Sequence, residues 1–344
     1  MKIRPHRIIA AMFVVLLLGG LAWRLIPRTD PLFRGKPEND WIAHLAYHDD
    51  EQLKQWREYG QEGVRVLIRA LDHANRRWKR FYRHSYPRLT PRLPSVLARW
   101  LPAPQMDTTR QTRMRLADLL SRLGSMAESA EPAMARLLHD EDESVSQIAM
   151  GFFNSSEDEH ALLNRLEPRE KRRLLPEFLR LSQARNWGTR NNAFIALRYY
   201  REQAPEVVPA LIPALRDPIA QVRLLAADTL RRLDPAAAKK YGAISVLIPI
   251  MQDPDGQVAY RAAECLRAFH DQPELAVPAL IEGLRNTNTL VACHSIWSLE
   301  DFQESAASIV PALEKAAQRP DDVAGHARTA LKHFHNATNA PAKP

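Results

Sequence analysis

Two cysteines in 344 residues exclude a disulfide framework and a four-thiolate zinc site. Glycine is scarce, at 12 residues against 25 prolines, and aromatic residues make up only 7%, which fits a helical chain punctuated by prolines. Acids are missing altogether from residues 73–106, which carry eight basic groups, and residues 1–36 set only Asp30 against seven. The formal net charge of +8 therefore sits in two segments while the rest of the chain is net negative, so a nucleic-acid reading built on overall charge fails. With 45% hydrophobic and 26% charged side chains, the chain can bury a sizeable core and is not broadly disordered.

Long apolar runs are also absent, with one exception. Residues 8–23 are uncharged and follow the basic Lys2, Arg4 and Arg7. Those sixteen residues would span about 24 Å as a helix, short of a hydrocarbon core of about 30 Å. If Arg24 snorkels, Leu25 and Ile26 extend the run to residues 8–26, which is enough. We read the run as a membrane anchor, with the domain that follows on the extracytoplasmic side. The alternative is a signal peptide cut after Ala22, which would make the protein secreted or periplasmic; a buried soluble helix is the third reading. Basic residues flank both ends, so the charge rule for topology decides little.

The rest of the chain repeats itself. Apolar or small residues recur at offsets 0, 4, 5, 8 and 11, as in Val222, Ala226, Ala227, Leu230 and Leu233. The pattern returns from Val258 (Ala262, Ala263, Leu266, Phe269) and from Val291 (Ser295, Ile296, Leu299, Phe302). Upstream it starts at Thr112, Val145 and Thr189, and it closes at Val323 with Arg328 in the offset-5 slot. Successive starts lie 33, 44, 33, 36, 33 and 32 residues apart. Such offsets form one face of an amphipathic helix. Each of these helices is preceded by a proline-led apolar series, such as Pro209, Leu211, Ile212 and Leu215, which predicts a short or bent first helix. Asp217-Pro218, Asp253-Pro254-Asp255 and Asn286 to Thr289 predict polar turns that cap the second helix.

This unit, a proline-led helix, an Asp turn and a Val-x-x-x-Ala-Ala-x-x-Leu helix, resembles the HEAT repeat, including its short bacterial form. The resemblance implies an all-α fold: a right-handed α-solenoid of stacked helix pairs, here preceded by one N-terminal hydrophobic helix. It divides the chain into a leader and basic linker (1–36), a degenerate first copy (37–73), an insertion (74–108), the regular repeats (109–336) and a disordered tail (337–344). The 44-residue step predicts a polar loop, with or without an extra helical turn, over Asn154–Arg173. HEAT solenoids are mostly scaffolds and binding surfaces, so the resemblance implies a non-catalytic, protein-binding module without a cofactor. Enzymes with HEAT-like folds, resembling alkylpurine DNA glycosylases or bilin lyases, are the alternative, but no acid or nucleophile here is identifiable as catalytic. HEAT-type di-iron hydroxylases rely on His-Glu dipeptides, and this chain has none.

Within the insertion, Arg76, Arg77, Trp78, Lys79, Arg80, Phe81, Tyr82 and Arg83 interleave cations with rings. The run suits an anionic lipid surface or a protein partner; it equally suits a solvated helical extension packed on the solenoid. Phosphate contact with base stacking is the third reading, and export would separate the segment from cellular nucleic acid. His44 and His48 stand four apart, a metal-compatible helical spacing, and His139 to Glu143 form an acidic turn; neither reads as a metal site. Cys265 and Cys293 fall at different offsets and read as packing residues. Asn336-Ala337-Thr338 matches a glycosylation sequon, which matters only in a eukaryotic secretory route.

Stacked second helices usually line the concave face in HEAT-like solenoids, so the resemblance makes their non-core positions the expected partner surface. Offset 3 supplies Arg115, Ile148, Asn192, Leu225, Arg261, His294 and His326; offset 6 adds Asp228, Glu264 and Trp297. These positions share neither one charge nor a line of aromatics. Arg261, His294 and Trp297 form the expected contact, centred on Trp297 because tryptophan is enriched at binding hot spots.

Overall fold

The computed structural model describes residues 30–74, 86, 90–92, 106–154 and 162–339. The apolar run 8–26 and the basic run Arg76–Arg83 lie outside the described residues. Among those described, no helix is long and apolar enough to cross a membrane. The chain divides into two compact units, residues 1–116 and 117–344.

The first unit opens with a hairpin, β1 (Leu32–Phe33) antiparallel to β2 (Lys36–Pro37). Three helices follow: α1 (Glu38–Ala43), α2 (Asp50–Glu58) and α3 (Gly60–Ala74). Asp49 caps α2 by accepting from the Glu51 and Gln52 amides. Gly60, at φ +57°, turns the chain between α2 and α3, a conformation open to glycine without the steric cost other residues bear. Trp56, Val64, Leu67 and Leu71 form the core of this degenerate copy, with Leu53 and Ile68 only half-buried. The folded region starts earlier than the expected boundary at residue 37. Phe33, assigned to the basic linker, is 2% exposed. The reason is a ring cluster drawn from separate elements: Phe33 stacks on Trp56, with Trp41 and Tyr59 edge-on around it.

The helix that crosses the unit boundary is α4 (Met106–Leu123). The second unit continues with α5 (Glu131–Leu137), α6 (Glu143–Phe153), α7 (Leu162–Arg165), α8 (Pro168–Leu181), α9 (Trp187–Leu197), α10 (Ala204–Ala214) and α11 (Ala220–Leu233). Then come α12 (Pro235–Lys240), α13 (Ala243–Ile250), α14 (Gly256–Leu266), α15 (Pro273–Gly283), α16 (Thr289–Leu299), α17 (Ala306–Ala316) and α18 (Val323–Asn339). First and second helices pack in pairs, α8 on α9, α10 on α11, α13 on α14, α15 on α16 and α17 on α18. The second helices α6, α9, α11, α14, α16 and α18 each pack on the next, and α13, α15 and α17 do the same in a parallel layer. The described residues are thus helical apart from the hairpin and turns, and the pairs stack as an α-solenoid does.

The offset pattern is the core. Val222, Ala226, Ala227, Leu230, Val258, Ala262, Ala263, Leu266, Val291, Ser295, Ile296 and Leu299 are all buried. Proline sits where a first helix tolerates it: Pro132, Pro168 and Pro273 in first turns, with Pro176, Pro209, Pro213, Pro249, Pro278 and Pro311 inside short helices. Two expectations about irregular segments need correction. Residues 168–173, expected in a polar loop, form the start of α8, with Pro168 supplying its first turn. Residues 337–339, expected in the disordered tail, continue α18, which runs to Asn339.

Candidate partner-binding surface

Each second helix is aimed by its turn. Asp253 accepts from the Asp255 amide, and Asp255 in turn accepts from Gln257 to cap α14. Asn286 and Asn288 repeat the arrangement ahead of α16, accepting from the Asn288 and Leu290 amides. The same two-step ladder, Asp140 to Asp142 to Ser144, caps α6. The acidic turn 139–143 is therefore a cap, and Glu143 also accepts from the Asn186 amide of the next pair. Neighbouring turns are tied together. Arg190 donates from Nε and Nη2 to the Asp217 carboxylate at 2.7 and 2.9 Å, Asn286 donates to the Met251 carbonyl, and Arg319 donates to the Leu284 and Asn286 carbonyls.

With the helices held in this register, four rings from three successive second helices meet, with Trp297 exposed and the other three half-buried. The Tyr260 and His294 centroids are 4.4 Å apart at an interplanar angle of 32°. His294 and Trp297 are 4.8 Å apart at 73°, and Trp297 and His326 are 5.2 Å apart at 88°. Trp297 is 41% exposed. Of the three residues expected to form the contact, His294 and Trp297 come together and Arg261 stands exposed one residue beyond Tyr260. The reading that offsets 3 and 6 carry no line of aromatics did not extend to the residues beside them. Tyr260 lies at offset 2, outside the two offsets counted, and reaches the neighbouring helix. Neither offset is a uniform surface: Leu225, at offset 3, is buried, and Asp228, at offset 6, is tied to Arg232.

Burial pushes the His294 imidazole below its ordinary range, with Glu264 opposing it. The Cys265 thiol is pushed up by burial and by the Asp228 and Glu264 carboxylates. Both cysteines are free thiols. Among the described residues no group of three or more His, Cys, Asp or Glu side chains converges to hold a metal. The His44 and His48 pair does not share a helix: α1 ends at Ala43, His44 faces the Asp40 carbonyl and His48 packs on Tyr47.

The family model for HEAT repeats matches residues 244–332, the stretch that contains the ring line. An engineered protein of known crystal structure superposes with a TM-score of 0.51 at 18% identity, covering 87% of this chain and 84% of that one. A second engineered protein gives 0.45 at 18% identity over 60% of this chain and 97% of its own. A designed armadillo repeat protein gives 0.44 at 18% identity over 59% and 99%. No curated protein matches the sequence. The match to the HEAT-repeat family thus covers the pairs from α13 to α18, and the same pairing of helices runs upstream to α8 and α9.

Proposed function

We propose that this protein is a non-catalytic scaffold that captures a protein partner on its layer of second helices. The observation that carries the reading is the line Tyr260, His294, Trp297 and His326, which continues across three helices and leaves an indole open to solvent. Pre-ordered rings bind with little further loss of side-chain freedom, and tryptophan and tyrosine dominate interface hot spots. The proposal includes a tether: residues 8–26 anchor the chain in a membrane, and the HEAT repeats work outside the cytoplasm. Arg76 to Arg83 would add a second contact, to that membrane or to the partner.

The test is affinity capture from detergent-solubilised membranes with wild type and with Tyr260→Ala and Trp297→Ala, each checked for unchanged helicity. A partner retained by wild type should be lost by both variants, because removing a hot-spot ring costs about 2 kcal/mol or more, roughly 30-fold in affinity. Equal recovery by all three proteins would remove the ring line as the contact. The tether is tested separately: the full chain should resist carbonate extraction from membranes, and release by carbonate would refute it.

A further inference from the structure

Two members of the ring line can take a proton. His294 and Trp297 stand three apart in α16 and so share one side of that helix. His326 brings a second imidazole from α18 against the same indole, at 5.2 Å and 88°. The backbone that carries the rings is fixed, since Ala263, Ser295, Ile296 and Ala327 are buried. Trp297, the exposed ring of the line, is therefore flanked by two half-buried imidazoles. Imidazole is the side chain whose charge ordinarily changes between about pH 5 and pH 8.

The charged groups around the line do not form a field of one sign. On α14, Arg261 and Glu264 are both exposed, opposite in sign and three apart. At the end of α16, Glu300 faces His333 of α18 at 3.2 Å, and Asp301 pairs with Arg267. On α18, Arg328 donates to the Ala317 carbonyl, and Lys332 stands six residues beyond His326, nearly two turns away. The first helices α15 and α17, packed on α16 and α18, carry Glu274, Glu282, Glu314 and Lys315, all exposed, with Glu282 tied to Arg285.

Resting on the partner contact proposed above, we infer that the ring line takes an uncharged, aromatic or aliphatic segment of that partner and releases it as pH falls through the histidine range. Rings bordered by charges of both signs offer apolar surface and no net field to attract a charged segment. An uncharged segment laid over Trp297 takes water from both imidazoles and supplies no anion, so each imidazole is neutral in the complex. In the free chain both can be protonated. Burial holds His294 below its ordinary range, and Glu264 works in the other direction. The sign follows from linkage: affinity is full above the imidazole midpoints. Below them it falls by up to about tenfold per pH unit for each imidazole that must shed a proton.

The test uses the full chain in detergent and a phage-displayed library of random peptides, selected at about pH 7.5, where imidazole is ordinarily neutral. Peptides held by wild type and lost by Trp297→Ala should be rich in aromatic and aliphatic residues. Those without ionisable side chains are resynthesised, so that any pH dependence belongs to the protein, and their binding is read by fluorescence anisotropy. Wild type should lose about tenfold or more in affinity between about pH 7.5 and pH 5. His294→Phe plus His326→Phe keeps the rings without the protons and should hold the peptides across that range. If the double variant loses its helical signal, Glu264→Gln carries the test: without the carboxylate His294 protonates less readily, and release should move to lower pH. Charged sequences among the Trp297-dependent peptides, affinity that ignores pH or tightens as it falls, or release unmoved by these substitutions would overturn the inference and leave the partner contact standing. Recovery of no Trp297-dependent peptide would remove the ring line as a contact, and this inference with it.

Discussion

Leu230 and Leu266 show what a single residue contributes here. Both occupy offset 8 and both are fully buried between helices. Leu230→Ala or Leu266→Ala should lower unfolding free energy by about 2–5 kcal/mol, read from denaturant curves, because lost transfer energy adds to an unfilled cavity. Trp297→Ala should cost far less, within about 0.5 kcal/mol if the position acts as surface; a loss as large as that of Leu230→Ala would make the indole a packing residue. His294 provides a pH readout. Burial favours its neutral form in the folded chain, so the unfolded chain binds the proton more readily. Stability from this group is therefore complete above the ordinary value of 6.5 and falls as pH drops below it. An NMR titration should place the His294 midpoint below 6.5; a midpoint at or above it would contradict the burial.

Elements are aimed by short polar turns, and their caps are individually testable. Asp255→Ala removes the side-chain acceptor from the start of α14 and should cost about 1 kcal/mol. Asp217 has a larger role, since it accepts both from Arg190 of the preceding pair and from the Ile219 amide of its own turn. The Arg190 and Asp217 side chains are mostly buried, so Asp217→Ala strands a guanidinium and should cost about 3 kcal/mol or more. A Tm change no greater than that of Asp255→Ala would show that water replaces the carboxylate. The turns were legible as Asp-Pro and Asn-rich stretches, because capping is local chemistry. The tie from Arg190 to Asp217 was not, since it joins groups 27 residues apart whose proximity exists only after pairs stack.

For the molecule as a whole, the repeat predicts where stacking stops. Offset 5 holds Ala227, Ala263 and Ile296, all buried, but in α18 it holds Arg328, exposed and donating to the Ala317 carbonyl. A terminal repeat needs a polar outer face. Arg328→Leu should therefore leave the circular dichroism spectrum unchanged and promote self-association, measured by sedimentation velocity; a monodisperse monomer would show that this position does not face an open end. The described residues of the first unit begin at Asp30, whose carboxylate accepts from the Asn39 amide, and the core of that unit is built from residues 33 onward. Deleting residues 1–28 should therefore leave the helical signal and the thermal transition intact, and loss of either would place that segment in the core.

The helix pairs, their caps and their buried faces were set by the sequence alone, because a 3.6-residue period writes the core stripe into the chain and repetition writes it again in every pair. Tertiary structure decided the rest. The hairpin forms because rings at Phe33, Trp41, Trp56 and Tyr59 converge from three elements, and no local pattern announces a cluster spread over such distances. The ring line escaped for a related reason: each helix contributes one or two rings, at offset 2 in α14, offsets 3 and 6 in α16, and offset 3 in α18. Which of those offsets meet depends on the stagger between neighbouring helices, a quantity that packing sets and that no single repeat encodes.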